Sequence, residues 1–144
     1  MLEAIEQARK ALFYGETPVG AVAVKSDSKT ILARAHNECI NLNDPTAHAE
    51  ITALRRAASV TGNYRLPNVV IVVTLEPCLM CLGAMIQARI SGLVFGARDP
   101  RAGAVVSRLD MSELHWLNHR IWYIDGVLED ECAGLLKDFF RNKR

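Results

Sequence analysis

The chain of 144 residues lacks the features that mark secreted, membrane-embedded or disordered proteins. Its first segment, MLEAIEQARKAL, carries Glu3 and Glu6 and has no basic stretch followed by an apolar run, so it is not typical of a signal peptide. No run approaches the roughly 18 apolar residues of a membrane span. Proline, serine and glycine tracts are also missing, as are repeats with a period of about 20 to 50 residues. We therefore expect one domain over residues 1–144, with no membrane contact and a cytoplasmic location.

The chain also lacks an excess of either charge. Its 17 Lys and Arg residues nearly balance 16 Asp and Glu residues, which gives a net charge of +1 and a pI near 7.7. This balance excludes binding to nucleic acid as a bulk polycation, so any such contact must be local. One local excess exists, in the C-terminal KDFFRNKR, where four basic residues outnumber one acidic residue. An isolated basic tail of this kind is most simply a solvated helix end.

Cysteine is scarce, and only one pair of the four cysteines has a recognisable spacing. Cysteines of a cytoplasmic protein stay reduced, which favours metal binding or catalysis over disulfides. Cys39 and Cys132 stand alone and are expected to be small side chains that are buried or partly buried, and Met80 and Met85 are expected in the core. Cys78 and Cys81 belong to the motif P-C-x-x-C.

Apolar periodicity predicts helices and strands that alternate after an initial strand pair. Such an order indicates a layered α/β domain with a mixed sheet of about five strands. The predicted helices cover residues 2–14, about 46–60, 77–90 and 129–140, and the predicted strands cover 19–24, 30–35, 68–74, 92–97 and 120–124.

The segment DPTAHAEITAL raises a question, because His48 and Glu50 are two residues apart. Inside a helix they would lie about 200° apart around the axis and could not share a target. Asp44 or Thr46 can cap a helix, with Pro45 acceptable in its first turn, so both residues are expected at a helix start. Side chains there reach around the tip of the helix. His48 would bind a metal, and the longer Glu50 would reach the water bound to that metal.

The P-C-x-x-C motif follows a continuous apolar run and supplies two thiols. Pro77 favours a helix start at this point, so Cys78 and Cys81 share one face close to the positive helix end, which favours thiolates. With His48 they form a His/Cys/Cys set with an open fourth position, the pattern of catalytic zinc. Zinc lowers the pKa of its bound water to about 7, and Glu50 can take the proton. H-x-E followed by P-C-x-x-C is the signature of zinc nucleobase deaminases.

Three other interpretations of these residues stay open. A thioredoxin-type redox pair would use the two cysteines, but it leaves His48 and Glu50 without a role. A structural zinc site could use His115 and His119, although 33 residues separate Cys81 from His115, against about 12 to 15 in compact fingers. A noncatalytic, zinc-stabilised RNA-binding module would bind RNA without turnover.

Several segments together resemble the cytidine deaminase-like superfamily and, within it, the bacterial tRNA-specific adenosine deaminases. The segments are ETPVGAV, the loop at Asn37, NDPTAHAEI, VTLEPCLMCLGAMI, LVFGARD, LNH and DFFRNKR, of which FGARD and the basic double-phenylalanine ending discriminate best. The resemblance extends over nearly the full length and implies a three-layer fold. It also implies hydrolytic conversion of adenosine to inosine at the wobble position of a tRNA anticodon stem-loop. A homodimer with one zinc per subunit would act through zinc hydroxide, which attacks C6 of adenine.

The resemblance implies a role for each matching residue. Glu50 is the proton shuttle, Asn37 contacts the base in the pocket, and Asp99 and Phe139 contact the bases and sugars beside the target. The zinc ligands implied are His48, Cys78 and Cys81.

Two features depart from the pattern of these deaminases. Trp122 stands where an acidic residue is common, and Arg108 lies in a less typical segment. Both concern the outer RNA-contact surface and leave the zinc chemistry unchanged. The alternative function with the same zinc core is a deaminase of a free base or nucleoside such as guanine or cytosine.

Overall fold

The computed structural model describes residues 1–142, and these form a mixed sheet of five strands flanked by helices. Lys143 and Arg144, which end the basic tail, lie outside the described residues. The predicted mixed sheet of about five strands is confirmed, in the order β2-β1-β3-β4-β5. The strands are β1 (Gly20–Lys25), β2 (Thr30–His36), β3 (Val69–Leu75), β4 (Gly92–Ala97) and β5 (Trp122–Ile124).

Helices cover both faces of the sheet, so the domain has three layers. One face packs mainly against α3 and α4, and the other carries α1 and α5 around Ile5, Ala97 and Cys132. The short helix α2 lies within a segment that the sequence predicts as a loop. The helices are α1 (Leu2–Phe13), α2 (Cys39–Leu42), α3 (Ala49–Thr61), α4 (Leu79–Gln87) and α5 (Glu129–Asn142).

The strand directions bring four distant segments to one edge of the sheet. β1 pairs antiparallel with β2 and β3, whereas β3, β4 and β5 run parallel. The end of β2 therefore lies beside the start of β1, and both lie at the same edge as the carboxyl ends of β3 and β4. The residues that follow these ends include Asn37, Cys78 and Asp99. In open α/β sheets, ligands bind outside the carboxyl ends of parallel strands.

The backbone of α1 lies directly on β1 at Gly20. A Cβ atom there would sit 2.0 Å from the carbonyl oxygen of Ala4 and 2.4 Å from the backbone nitrogen of Ala8. Only glycine allows this approach. The close contact keeps the start of β1 against the helix and fixes the edge at which the distant segments meet.

The start of α3 differs from the prediction. The helix begins at Ala49, and its N-cap is His48 rather than Asp44 or Thr46. Asp44 instead accepts hydrogen bonds from the backbone nitrogen and the hydroxyl of Thr46, both at 2.7 Å, and so closes a turn before the helix. Short polar side chains stabilise such turns in competition with helix.

Two smaller expectations concern sulfur-containing side chains. Cys132 is buried and Cys39 is half-buried, which agrees with the prediction for both. Met85 lies in the core, but Met80, which the sequence also predicts in the core, is 36% exposed. No helix within residues 1–142 combines the length and the apolar character needed to cross a bilayer.

Candidate active site

The starts of α3 and α4 face one another at the edge of the sheet. His48 is the N-cap of α3 and Cys78 is the N-cap of α4, and both have extended backbone conformations. Cys81 lies in the first turn of α4 and is buried. Two positive helix ends thus converge on one point, an arrangement that favours thiolate over thiol.

The side chains of these three residues form a cluster with the spacing of a metal site. Their ligand atoms all lie within 4.8 Å of one another. His48 Nδ1 is 3.7 Å from Cys78 Sγ and 3.6 Å from Cys81 Sγ. Tetrahedral zinc with ordinary Zn–N and Zn–S bonds places such atoms about 3.6 Å apart. The donor set and its spacing therefore fit zinc without rearrangement.

The rival histidines lie elsewhere. His119 Nε2 is 2.7 Å from the carbonyl oxygen of Ile90, and His115 is an exposed side chain beside Glu113. Over residues 1–142, the cluster of His48, Cys78 and Cys81 is the metal-compatible group of His, Cys and acidic side chains. A structural zinc site built on His115 and His119 has no support in this geometry.

Proton affinities in the cluster favour a thiolate at Cys78. A hydrogen bond with Cys81, and then one with His48, lowers the pKa of Cys78 to about 4. The same contact with Cys78, together with burial, raises the pKa of Cys81. The contact with Cys78 also raises the pKa of His48. Cys78 therefore favours the thiolate, which is the form in which cysteine binds a metal.

Glu50 lies one residue inside α3, next to the cluster. Its side chain is only 3% exposed, and burial raises the pKa of its carboxyl group. A carboxylate with a raised pKa accepts and returns protons closer to neutral pH than an exposed glutamate does. The placement agrees with a proton-transfer role for Glu50.

Asn37 joins the end of β2 to the start of α3. Its Oδ1 accepts a hydrogen bond from the backbone nitrogen of Ala49 at 2.9 Å, and its own backbone nitrogen donates to Val19. The capping role that the sequence suggests for Asp44 or Thr46 is therefore partly performed by a residue 12 positions away. Among residues 1–142, no hydrogen-bond partner is found for the Asn37 amide nitrogen, which is the atom available to a base.

A cavity of about 780 Å³ lies between the ends of β3 and β4, the loop after β4, and α5. Its basic side chains are Arg98, Arg101 and Lys137, and its apolar side chains include Leu75 and Leu136. The full lining is Thr17, Leu75, Ala97, Arg98, Asp99, Pro100, Arg101, Ala133, Leu136, Lys137 and Phe140.

The residues predicted beside the target base are not all in this cavity. Asp99 lines it, and its Oδ1 accepts a hydrogen bond from the backbone nitrogen of Arg101 at 2.9 Å. Phe140 lines it and is 49% exposed. Phe139 is half-buried and contacts the Phe140 ring edge-on, with centroids 5.3 Å apart.

Two buried glutamates were not identified from the sequence. Glu76 precedes the P-C-x-x-C motif, and its carboxylate accepts hydrogen bonds from the loop after β4. Burial alone would raise the pKa of Glu76, but hydrogen bonds from Ser107, Val106 and Asp99 outweigh it and lower the pKa. Glu16 accepts hydrogen bonds from the first residues of α2. The position of Glu76, a charged residue between an apolar strand and Pro77, is a signal in the sequence that could have pointed to it. Its hydrogen-bond partners cannot be identified from the sequence.

An open apolar groove of about 450 Å³ separates α3 from α4. Leu79 and Met80 near the start of α4 are 66% and 36% exposed. The groove therefore adjoins an uncovered apolar face of α4. Its lining is Thr46, Ile51, Leu54, Arg55, Ala58, Tyr64, Met80, Ala84, Gln87 and Ala88.

Comparison with known proteins gives concordant results. The chain matches the MafB19-like deaminase family over residues 1–144. It is 47% identical to a tRNA-specific adenosine deaminase of Haemophilus influenzae over 144 residues, which are all of this chain and 83% of the relative. A solved structure from studies of A-to-I editing by tRNA:A34 deaminases superposes with a TM-score of 0.90 at 41% identity, covering 94% of this chain and 97% of that one. A guanine deaminase from Nitrosomonas europaea superposes with a TM-score of 0.82 at 26% identity, covering 94% and 80%.

Proposed function

The chain belongs to the tRNA-specific adenosine deaminases of the MafB19-like deaminase family, and from this membership we propose that it converts adenosine to inosine at the wobble position of tRNA anticodons. The observation that carries the proposal is the 47% identity to a tRNA-specific adenosine deaminase over the entire chain. The identity to the guanine deaminase from Nitrosomonas europaea is lower, at 26%. The substrate is the anticodon stem-loop, and the reaction takes place in the cytoplasm.

Zinc is the proposed cofactor, one ion per subunit, with His48, Cys78 and Cys81 as its ligands. The spacing of about 3.6 Å expected between tetrahedral ligands supports this assignment. When bound, zinc supplies the Lewis acidity that makes a water molecule acidic near neutral pH. Cys78 lies at the start of α4, where the thiolate is favoured over the thiol. The thiolate is the form of cysteine that binds a metal.

Glu50 moves the protons of the hydrolysis. Its carboxylate takes one proton from the attacking water and delivers it to a ring nitrogen of adenine, and it then moves the second water proton, from the hydroxyl bonded to C6, to the departing amine. The water oxygen forms a bond to C6, the C6–N bond breaks, and ammonia leaves, so that adenosine and water yield inosine and ammonia. Burial in the first turn of α3 raises the pKa of Glu50 and suits it to both transfers.

The target base must leave the anticodon loop stack to reach this site, which costs least in single-stranded RNA. We assign Asn37 to the base, through its amide nitrogen, and Asp99 and Phe139 to the neighbouring nucleotides. The cavity beside Asp99 adds Arg101, Lys137 and the exposed ring of Phe140. These local basic and aromatic groups can bind a small loop without a high net charge.

A homodimer of single-domain subunits completes the proposal, with residues 1–144 as one deaminase domain. The exposed face of α4 and its groove with α3 support the dimer, because exposed apolar patches of this kind mark interfaces.

The deciding experiment is incubation of the purified protein with total tRNA, followed by sequencing for adenosine-to-inosine changes. We expect changes confined to the first anticodon position. Glu50→Gln protein serves as the control and should leave the tRNA unedited. Unedited tRNA after treatment with the zinc-loaded parent protein would contradict the proposal.

A free-base deaminase is the second candidate, because the guanine deaminase from Nitrosomonas europaea shares the fold over 94% of this chain. Ammonia release from guanine, cytosine or their nucleosides, measured with the same preparation, separates the two candidates. Release at a rate that exceeds tRNA editing would favour the second.

A further inference from the structure

We infer that Glu76 is a positioning residue that holds the loop of residues 99–107 against the turn carrying Cys78, and thereby sets one wall of the substrate cavity. The inference rests on the proposed function, since it assigns a role in RNA binding to that cavity. Glu76 is 2% exposed, and the proposed mechanism gives it no step. Its role follows from its hydrogen bonds.

The Glu76 carboxylate accepts five hydrogen bonds, all from the loop of residues 99–107. Oε1 accepts from the backbone nitrogens of Val105, Val106 and Ser107 at 3.1, 2.7 and 2.9 Å. Oε2 accepts from the backbone nitrogen of Asp99 at 3.0 Å and from the hydroxyl of Ser107. Both ends of the loop are thus bonded to one carboxylate. Charge-assisted bonds of this type are stronger than neutral ones.

The backbone that follows Glu76 joins the same loop to the metal-binding turn. The Pro77 carbonyl accepts a hydrogen bond from the Ala104 nitrogen at 2.9 Å, and Cys78 forms a bridge with Gly103. A Cβ atom at Gly103 would lie 2.3 Å from the carboxyl carbon of Glu76. The loop therefore passes so close to the carboxylate that only glycine fits there.

This loop also contributes Asp99, Pro100 and Arg101 to the cavity that we assign to the nucleotides beside the target. Because the Asp99 nitrogen is itself bonded to Glu76, loss of the carboxylate releases the cavity wall at that residue. The side chains of the proposed zinc ligands and of Glu50 donate none of the hydrogen bonds that Glu76 accepts. The expected consequence is weaker RNA binding with proton transfer nearly unchanged, which appears as a rise in KM and not a fall in kcat.

Glu16 provides a matched control. It is equally buried, and its Oε1 also accepts backbone hydrogen bonds, from Ile40 and Asn41 at 2.8 and 2.9 Å. Within residues 1–142, its hydrogen-bond donors are Ile40 and Asn41, and neither lies in the loop of residues 99–107. Glu16→Gln therefore disturbs a buried carboxylate of similar chemistry and tests what loss of stability alone does to the kinetics.

The test begins with Glu76→Gln, which keeps the side-chain volume. The new amide group must face hydrogen-bond donors in either orientation, because both carboxylate oxygens accept. Hydrogen exchange of the backbone amides of residues 105–107 should accelerate in this variant and stay slow in Glu16→Gln. On an anticodon stem-loop, KM should rise by about tenfold or more while kcat and zinc content stay near the parent values, since loss of contacts made equally in the ground state and the transition state raises KM alone.

A double-mutant cycle tests the contact independently. Gly103→Ala should raise KM as Glu76→Gln does, because its methyl group displaces the loop from the carboxylate. In a Glu76→Ala background the same change should add nothing, since the obstructing side chain has gone. Additive effects would overturn the inference.

The remaining outcomes separate the two proposals. Two results, each obtained with a parent protein that edits the stem-loop, would show that Glu76 has no positioning role. In the first, Glu76→Gln has the KM of the parent protein. In the second, Glu76→Gln only lowers kcat in proportion to the amount of folded protein, as Glu16→Gln does. Ser107→Ala, which removes only the hydroxyl bond, replaces Glu76→Gln should that variant fold poorly, and an unchanged KM in it would likewise overturn the inference. Absence of editing by the parent would contradict the proposed function itself.

Discussion

At the scale of single residues, the site uses the same backbone position twice. His48 and Cys78 are both N-cap residues with extended backbones, so their side chains project from the tips of α3 and α4 and not from the helix sides. Cys81 follows three residues later and reaches the same point. His48 and Glu50, which are two residues apart, can reach the same point only because the helix starts between them.

The metal assignment predicts that His48→Ala, Cys78→Ala and Cys81→Ala each abolish zinc binding. Each variant keeps only two of the three protein ligands that a catalytic zinc site requires. His119→Ala, which removes a histidine bonded to a backbone carbonyl, should keep one zinc per chain. Metal analysis of the purified, folded variants is the measurement. Zinc retained by His48→Ala but lost by His119→Ala would establish the rival site.

The assignment of Glu50 to proton transfer predicts a separation of metal binding from catalysis. Glu50→Gln keeps the side-chain shape but cannot accept a proton, so editing of a stem-loop should fall by about 10²- to 10⁴-fold. Zinc content should match that of the parent protein, since Glu50 is not a ligand. Turnover within a few-fold of the parent would remove Glu50 from the mechanism.

At the scale of elements, α5 combines a packing role with the proposed RNA contact. Cys132 anchors the helix against β4, where Gly96 leaves room for the Cys132 sulfur. The opposite end carries Phe139 half-buried and Phe140 exposed in the cavity with Asp99. Adjacent positions differ by about 100° around a helix, which is why the two rings divide these roles.

Removal of the exposed ring of Phe140 is expected to weaken RNA binding specifically. Phe140→Ala should weaken binding of an anticodon stem-loop by about 1 to 3 kcal/mol, the usual cost of a lost base stack. Phe139→Ala should weaken it as well, because the Phe139 ring contacts Phe140 edge-on. Fluorescence titration of the stem-loop, with zinc content and melting temperature as controls, is the measurement. Affinity unchanged in both variants would show that α5 does not bind the RNA.

The basic end of α5 gives a second, electrostatic test. Arg141 is exposed and paired with Asp138 at 2.9 Å, a surface pair that contributes little to stability. If Arg141 contacts a phosphate, Arg141→Ala should lower the slope of log affinity against log salt by about 1. Lys143 and Arg144, which lie outside the described residues, can be removed together as a further comparison. An unchanged slope would assign Arg141 to the solvated helix end.

At the scale of the whole molecule, the two open features lie on different elements. The cavity beside Asp99 lies between the sheet edge and α5, whereas the apolar groove lies between α3 and α4. Both include residues close in sequence to the metal cluster. A dimer formed through the groove would therefore bring a second subunit near the site without covering α5.

The homodimer predicts a solution mass of twice the 15.9 kDa chain at micromolar concentration, measured by light scattering. Leu79→Lys places a charge on the exposed apolar face and should shift the mass toward that of one chain, because burial of an unpaired charge is costly. Lys10→Glu on α1, away from the groove, is the matched control and should leave the mass unchanged. A parent protein with the mass of a single chain would contradict the dimer.

The sequence by itself determined the class of fold and the candidate set of metal-binding residues. H-x-E and P-C-x-x-C, each at a predicted helix start, predict His48, Cys78 and Cys81 as a metal-binding set with Glu50 beside it, and the structure brings the three side chains together. Alternation of apolar strands and helices was sufficient for a mixed five-stranded sheet. These properties depend on local spacing, which is fully visible in the order of residues.

Only the tertiary structure decided which distant residues complete the site. The side-chain hydrogen bond to the first backbone nitrogen of α3 comes from Asn37 and not from Asp44 or Thr46, because the sheet brings the end of β2 to the helix start. Glu76 acquires its role from donors 23 to 31 residues away. The division between Phe139 and Phe140 likewise depends on how α5 rotates against the sheet. A hydrogen bond or a buried face between remote segments has no periodic trace in the sequence, since it arises only when the chain folds.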